Sequence, residues 1–330
     1  MKKIFALLLS AALLVTLLAA CGGGNTTDTD TDTQETAADA STTQVEEQEP
    51  DTGDASKDDP LNQDEIGEKE LLVVSFGTSY NDSRRETIGA IEKAMQTAFP
   101  DYSVRRAFTS QIIIDHVKDR DGVTIDNVEQ ALERAVNNGV KTLVVQPTHL
   151  MNGLEYEELT DELAKYSDSF EKIAIGDPLL TSDADFEAVM TAITDATKDA
   201  ADGKTAICFM GHGTTADSNS VYSKMQTLLT DKGFNDYYVG TVEATPSLDD
   251  VLAAVQKGNY EKVILRPLMI VAGDHANNDM AGDEDDSWKS TFEKAGYTVD
   301  CQVEGLGQLE AIQQLFVEHA KAAVASAEAE

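Results

Sequence analysis

The sequence predicts an α/β chain of two similar Rossmann-like halves, each a four-stranded parallel sheet flanked by helices, with a cleft between them. Three observations predict it. After Glu70, short apolar runs rich in Val and Ile alternate with amphipathic stretches, as parallel α/β units require. The order of those runs repeats once along the chain, the mark of a duplicated unit. Three of the runs in the second half are each followed closely by a residue able to bind a metal: His212, Glu243 and His275. Ligands of open α/β sheets sit outside the carboxyl ends of the strands.

The elements follow in order. A strand over 71–77 leads to a helix capped by Asp82 or Ser83 and running to about residue 98. Pro100-Asp101 makes a turn before a strand over 103–109. Helices are expected at 110–117 and 124–138, the second with Asp126 in its first turn and Gly139 past its end. A strand at 141–148, a helix at 155–166, a strand at 172–178 and a helix at 183–201 complete the first half. The second half runs strand 205–211, helix 217–232, strand 237–242, helix 247–256 and strand 262–269. Helix 287–295, strand 298–304 and helix 308–325 close it.

Aligning the halves sharpens the candidate site. Ser75-Phe76-Gly77-Thr78 matches Gly211-His212-Gly213-Thr214, and the runs ending at Phe108 and Glu243 match each other. Gln146-Pro147 running on to Glu155 matches Arg266-Pro267 running on to His275. At equivalent places the first half carries Phe76, Phe108 and Glu155, and the second His212, Glu243 and His275. A requirement of the fold would place similar residues in both halves. The asymmetry predicts coordination chemistry on one side, and on the other an apolar wall of Phe76 and Phe108 for a flat ligand. Two imidazoles and a carboxylate can hold a divalent metal and leave positions open, and imidazole is a good ligand for Co²⁺, Fe²⁺, Ni²⁺ or Zn²⁺ alike. Gly211-His212-Gly213-Thr214 lacks the spacing and the lysine of a phosphate loop. His149, near the end of the third strand, could line the cleft or be a packed structural histidine. His116 and His319 fall in helical patterns and are expected at the surface. Arg84, Arg85, Arg105, Arg106 and Arg266 lie near strand ends or helix starts, where surface or structural pairing competes with binding of a carboxylate ligand.

From about Leu71 to Ala322 the chain resembles the anaerobic (class II) sirohydrochlorin cobaltochelatases, relatives of ferrochelatase. The resemblance rests on Leu72-Val73-Val74-Ser75-Phe76-Gly77-Thr78-Ser79, Arg106-Ala107-Phe108-Thr109-Ser110 and Asn152-Gly153-Leu154-Glu155-Tyr156-Glu157. It continues in Phe209-Met210-Gly211-His212-Gly213 and in the long motif from Pro267 to Ala281. It implies two Rossmann-like halves around a tetrapyrrole cleft and insertion of a divalent metal into sirohydrochlorin, as in cobalamin biosynthesis. His212, Glu243 and His275 would be the metal ligands. His212 would also serve as general base, with Glu155 and His275 in catalytic roles and Glu155 also at the tetrapyrrole. No organic cofactor is implied. The chain departs from biosynthetic members in its first 69 residues.

Those residues read as an address and a tether. Lys2 and Lys3 precede an apolar run that ends in Leu18-Ala19-Ala20-Cys21, a secretory signal with a lipobox-like end. Lipidation of Cys21 would anchor the protein to a membrane, outside the cytoplasm. Residues 22–69 then form an acidic, disordered tether: from Asp28 to Glu65 there are fourteen Asp and Glu against the single Lys57. The domains expected are 1–21 signal and lipidation cysteine, 22–69 tether, 70–202 first chelatase half, and 203–330 second half with the metal site. A net charge of -35 excludes a nucleic-acid backbone as partner. Three cysteines make no disulfide framework, and Cys208 and Cys301 are expected free in apolar strands. The anchor leaves a second reading open: a lipoprotein that binds a tetrapyrrole or metal and serves haem or corrinoid uptake, with a transporter as partner. Either reading is compatible with a homo-oligomer.

Overall fold

The computed structural model describes residues 52–329. Cys21 and the signal segment lie outside the described residues. Two four-stranded parallel sheets form, each built from one half of the repeat. In chain order the first half comprises β1 (Lys69–Ser75), α1 (Asn81–Glu86), α2 (Ile88–Ala98), β2 (Ser103–Phe108), α3 (Gln111–Asp121) and α4 (Val128–Asn137). It continues with β3 (Thr142–Pro147), α5 (Leu154–Ala164), β4 (Lys172–Ile175) and α6 (Asp183–Thr197). The second comprises β5 (Thr205–Gly211), α7 (Ser220–Asp231), β6 (Tyr237–Thr241), α8 (Leu248–Val255) and β7 (Lys262–Pro267). A π-helical turn (Ala276–Met280), α9 (Trp288–Lys294), β8 (Thr298–Cys301) and α10 (Glu310–Ala329) follow. The strand orders are β2-β1-β3-β4 and β6-β5-β7-β8, the same topology twice.

Side chains alternate across each strand, and that alternation divides the core. Leu71 and Val73 of β1 face one cluster, Leu72 and Val74 another. In β5, Ile207 and Phe209 join the same cluster as Leu71 and Val73, while Ala206, Cys208 and Met210 face outward to α8 and α9. One apolar core therefore runs between the inner faces of both sheets. It is filled by helices that do not respect the cut expected at 202/203. The last helix, α10, returns to pack on β3, β4 and α2, and α6 lies against α7. Thr197 on α6 hydrogen-bonds the Tyr237 hydroxyl at 2.8 Å, and Lys172 reaches the Ala327 carbonyl at the same distance. His319 is not a surface residue: its Nε2 meets Asp185 Oδ1 at 3.0 Å and its Nδ1 the Asp177 carbonyl at 3.1 Å. It pins α10 to the first half.

The tether expectation fails for its last part. Residues 52–67 lie against the first half as a strap. The Asp58 carboxylate accepts from Arg84 Nε at 2.6 Å and from Arg106 at 2.7 and 3.0 Å. Arg106 also pairs with buried Glu92. Leu61 enters the core, and its carbonyl accepts from Arg106 N. Burial raises the Asp58 pKa, but hydrogen bonds and charge from Arg106 and Arg84 outweigh it and hold the carboxyl below its ordinary value. Composition misses this because one aspartate and one leucine supply most of the anchoring. Arg105 likewise pairs inside the fold with Asp126, which also takes Arg134. Asp126 precedes α4 rather than sitting in its first turn, because Asn127 and Gln130 form a capping box. Arg84, Arg105 and Arg106 are thus structural cations, and Arg266 pairs with Gln302 and Glu304.

Candidate metal centre

The chain leaves β5 at Gly211, which is fully buried. A Cβ there would stand 2.1 Å from the Tyr222 ring, so only glycine fits. The Tyr222 hydroxyl accepts from Gly213 N at 3.3 Å. Gly213 has φ +89°, and a Cβ on it would meet Ala244 N at 2.9 Å. Two glycines thus bracket His212 and let its turn lie directly against the turn after β6. The ladder between the strands continues through both turns: Val242 N donates to Gly211 O at 3.0 Å and Glu243 N to His212 O at 2.9 Å. On the other side of β5, Leu268 N donates to Met210 O at 2.7 Å. The chain then passes the first half, where Ala272 N donates to Ser83 Oγ, and reaches His275 at the head of the π turn.

The segments that follow these three strands bring their side chains together. One ligand atom from each of His212, Glu243 and His275 lies within 4.8 Å of the others. Among the described residues no other such group of three or more His, Cys, Asp or Glu occurs. The imidazoles meet edge to face with centroids 4.6 Å apart. His212 Nδ1 lies 2.8 Å from the Gly213 carbonyl and 3.9 Å from Glu243 Oε2. A carbonyl only accepts, so Nδ1 carries the proton and Nε2 keeps its lone pair. His275 Nδ1 lies 2.7 Å from Asp279 Oδ2, which fixes the same tautomer. Donors around a tetrahedral ion stand roughly 3.4 Å apart when bonds are about 2.1 Å. The set is therefore looser than a closed structural site and half open to solvent.

Asp279 was not singled out from sequence. The signal was its i+4 spacing from His275, which matters only once the π turn is known. π turns recur at functional sites.

The opposite wall differs from expectation at one residue. Phe76 is 47 % exposed and stands where His212 stands in the other half. Phe108 is fully buried, packed among Ile88, Ile114, Val117 and Ile125. It cannot touch a ligand. The register explains the error: Ser75 pairs with Phe108 and Gly211 with Thr241, so Phe108 corresponds to Thr241, not Glu243. Ile112 and Leu154, which follow β2 and β3, are also large apolar side chains exposed on the first half.

Glu155 lies on the first turn of α5, half exposed, with Oε2 at 3.3 Å from Nε2 of buried His149. It does not belong to the His212 cluster. Asn152, Gly153, Leu154 and Glu157 line a cavity of about 460 Å³ with Ala216, Asp217 and Ser218, which follow His212 in the other half. A larger hollow of about 610 Å³ between α6 and the start of α10 holds no imidazole or thiol. Cys208 and Cys301 are free thiols, as expected. Burial raises both, Cys301 to about 11, so neither is a thiolate donor at neutral pH.

The family described as cobalt chelatase (CbiK) matches residues 69–325. The chain belongs to that cobalt chelatase family. It is 38% identical over 251 residues to the sirohydrochlorin cobaltochelatase of Salmonella typhimurium, spanning 76% of this chain and 94% of that one. It is 30% identical over 260 residues to sirohydrochlorin cobaltochelatase CbiKC of Nitratidesulfovibrio vulgaris, spanning 78% and 91%. Among solved structures, SirB from Bacillus subtilis with Fe3+ matches with a TM-score of 0.57 at 14% identity, over 80% of this chain and 98% of that one. At that identity the likeness concerns the fold alone: two parallel sheets flanked by helices.

Proposed function

We propose that this cobalt chelatase family member is an enzyme that inserts Co²⁺ into sirohydrochlorin or a closely related tetrapyrrole. The observation that carries the reading is the convergence of His212, Glu243 and His275 on segments that follow three adjacent strands. The two relatives named for that reaction support it. The metal is a substrate, so the protein must hold it briefly and give it up. His212 and His275 offer Nε2 lone pairs, and Glu243 offers a carboxylate that offsets part of the ion's charge. Phe76, Ile112 and Leu154 supply apolar surface for the flat macrocycle.

Insertion removes two pyrrole protons as the ion enters. His212 Nε2 cannot ligate the ion and accept a proton at the same moment. It becomes a base as it releases the metal, and so accounts for one proton. Glu155, on the other half, is the nearest assignment for the second. His275 keeps its orientation through Asp279 throughout.

The test is a multi-turnover metallation assay on the full chain in detergent, with sirohydrochlorin and Co²⁺, Fe²⁺, Ni²⁺ or Zn²⁺ in turn. Many metallated products per chain are expected, fastest with Co²⁺. His212→Ala should lose at least about a hundredfold in rate while remaining folded. Tight stoichiometric binding without turnover would instead make the protein a carrier.

For location, we propose that Cys21 carries lipid and that the folded part works outside the cytoplasm on a membrane surface. The apolar run and Leu18-Ala19-Ala20-Cys21 support this.

A further inference from the structure

His275 stands further from its strand than the other two donors. His212 directly follows Gly211, the last residue of β5, and Glu243 is tied to it by the backbone ladder. His275 is reached from Pro267, the last residue of β7, only through the segment 268–274. Its place therefore depends on what fixes that segment. The second half holds the start: Met269 O accepts from Leu306 N at 2.8 Å and Ile270 O from Gly307 N at 3.0 Å. The next hold comes from the first half. Ser83 Oγ, on α1, accepts from Ala272 N at 3.0 Å. Buried Thr78 lies against Gly273, where a Cβ would stand 3.2 Å from Thr78 Oγ1.

With six residues, α1 is too short to hold itself together in water. Its far end rests on the second half: Gly305 and Gly307 abut Thr87, and Gln308 Nε2 donates to Glu86 Oε2 at 2.9 Å. Its near end is held by the strap. Asp82 N donates to Thr52 O at 2.8 Å, and Asn81 Nδ2 to Gly53 O at 3.1 Å. Fully buried Arg84 joins the parts, with Nε on Asp58 and Nη1 on the Thr78 carbonyl at 3.1 Å. Thr52, Gly53 and Asp58 all precede residue 69, where the cobalt chelatase family match begins.

We propose that α1 is a brace between the halves, in which Ser83 is the positioning residue for His275 and the strap holds the brace in place. The inference rests on the reading of His212, Glu243 and His275 as metal donors and deepens it. With Ser83 in place the segment before His275 is ordered before the ion arrives. Without it the ion must supply that ordering, and affinity falls. The strap thus completes the metal site from outside the residues that the family match covers.

Titration of the full chain in detergent with Co²⁺ alone, read by the cobalt absorption bands, tests both parts. Ser83→Ala should weaken binding about five- to tenfold, the worth of one hydrogen bond. In a His275→Ala background the same change should cost nothing further, because Ser83 acts through that imidazole. Gly53→Ala tests the strap, since removing Asp58 would leave two buried guanidiniums without their partner. Gly53 has φ +94°, and a Cβ there would stand 2.2 Å from Asp82 Cγ. Faster hydrogen exchange at the Asp82 amide should report the strap's release, accompanied by weaker Co²⁺ binding. Wild-type affinity in Ser83→Ala, an equal loss with and without His275, or wild-type affinity with the strap released would each overturn the proposal and leave the chelatase reading intact. Bound Co²⁺ without imidazole in the wild-type chain would overturn the metal donors as well.

Discussion

At the residue scale, His275 shows how one contact would prepare the ligand proposed above. Its Nδ1–H points to Asp279 at 2.7 Å, leaving Nε2 bare and its ring held. Partners of this kind typically contribute ten- to a hundredfold in metal affinity. Asp279→Asn should therefore weaken Co²⁺ binding by about that factor without unfolding the chain, as read by titration of the cobalt absorption bands. Unchanged affinity would show that the contact is incidental. That His212, Glu243 and His275 come together was legible in the sequence, because each follows a Val- or Ile-rich run of the second half. Phe108 was misjudged because a match between halves, made without the strand register, was off by two residues. The contact of Asp279 and the burial of His149 depend on geometry that no spacing rule carries.

At the element scale, the sheets were readable and the helices between them less so. Parallel strands buried on both faces announce themselves as apolar runs, and every one expected is present. What could not be read is which sheet a helix covers. α10 follows the second half in sequence but packs on the first, held in part by His319 and by Lys172. The strap at 52–67 was hidden by its acidic composition, although Asp58 pairs with two buried arginines. At the start of β1, Glu70 is fully buried, with both carboxyl oxygens unpaired and Arg105 4.0 Å away. Burial raises its pKa to about 7, against the opposing pull of Arg105. The unfolded chain releases that proton near 4.5. Between those values the folded state binds more protons than the unfolded state, so stability falls as pH rises from about 4.5 to 7 and levels off above. Relative to Glu70→Gln, the wild-type chain should lose about 3 kcal/mol over that window. Denaturant unfolding of both proteins at pH 5 and pH 8 measures it, and a difference independent of pH would contradict the assignment.

At the scale of the whole molecule, duplication makes a cleft and asymmetry makes it chemical. Both halves share one topology and one inner core, and the segments that follow the strands bring His212, Glu243 and His275 together on one side. On the other they carry Phe76, Leu154, His149 and Glu155. No helix among the described residues is long and apolar enough to cross a membrane. The proposed attachment is the lipid at Cys21, which lies outside the described residues. Cys21→Ala should move the chain from the membrane fraction to the soluble one, with metallation unaffected. Retention on the membrane would point to another anchor.

The most direct test of the metal site is cobalt K-edge absorption of the full chain loaded with one equivalent of Co²⁺ and no tetrapyrrole. The expected first shell holds two imidazole nitrogens and at least one carboxylate oxygen, and His275→Ala should remove one imidazole. A shell of oxygens alone, or one unchanged in that variant, would place the ion elsewhere and contradict the site.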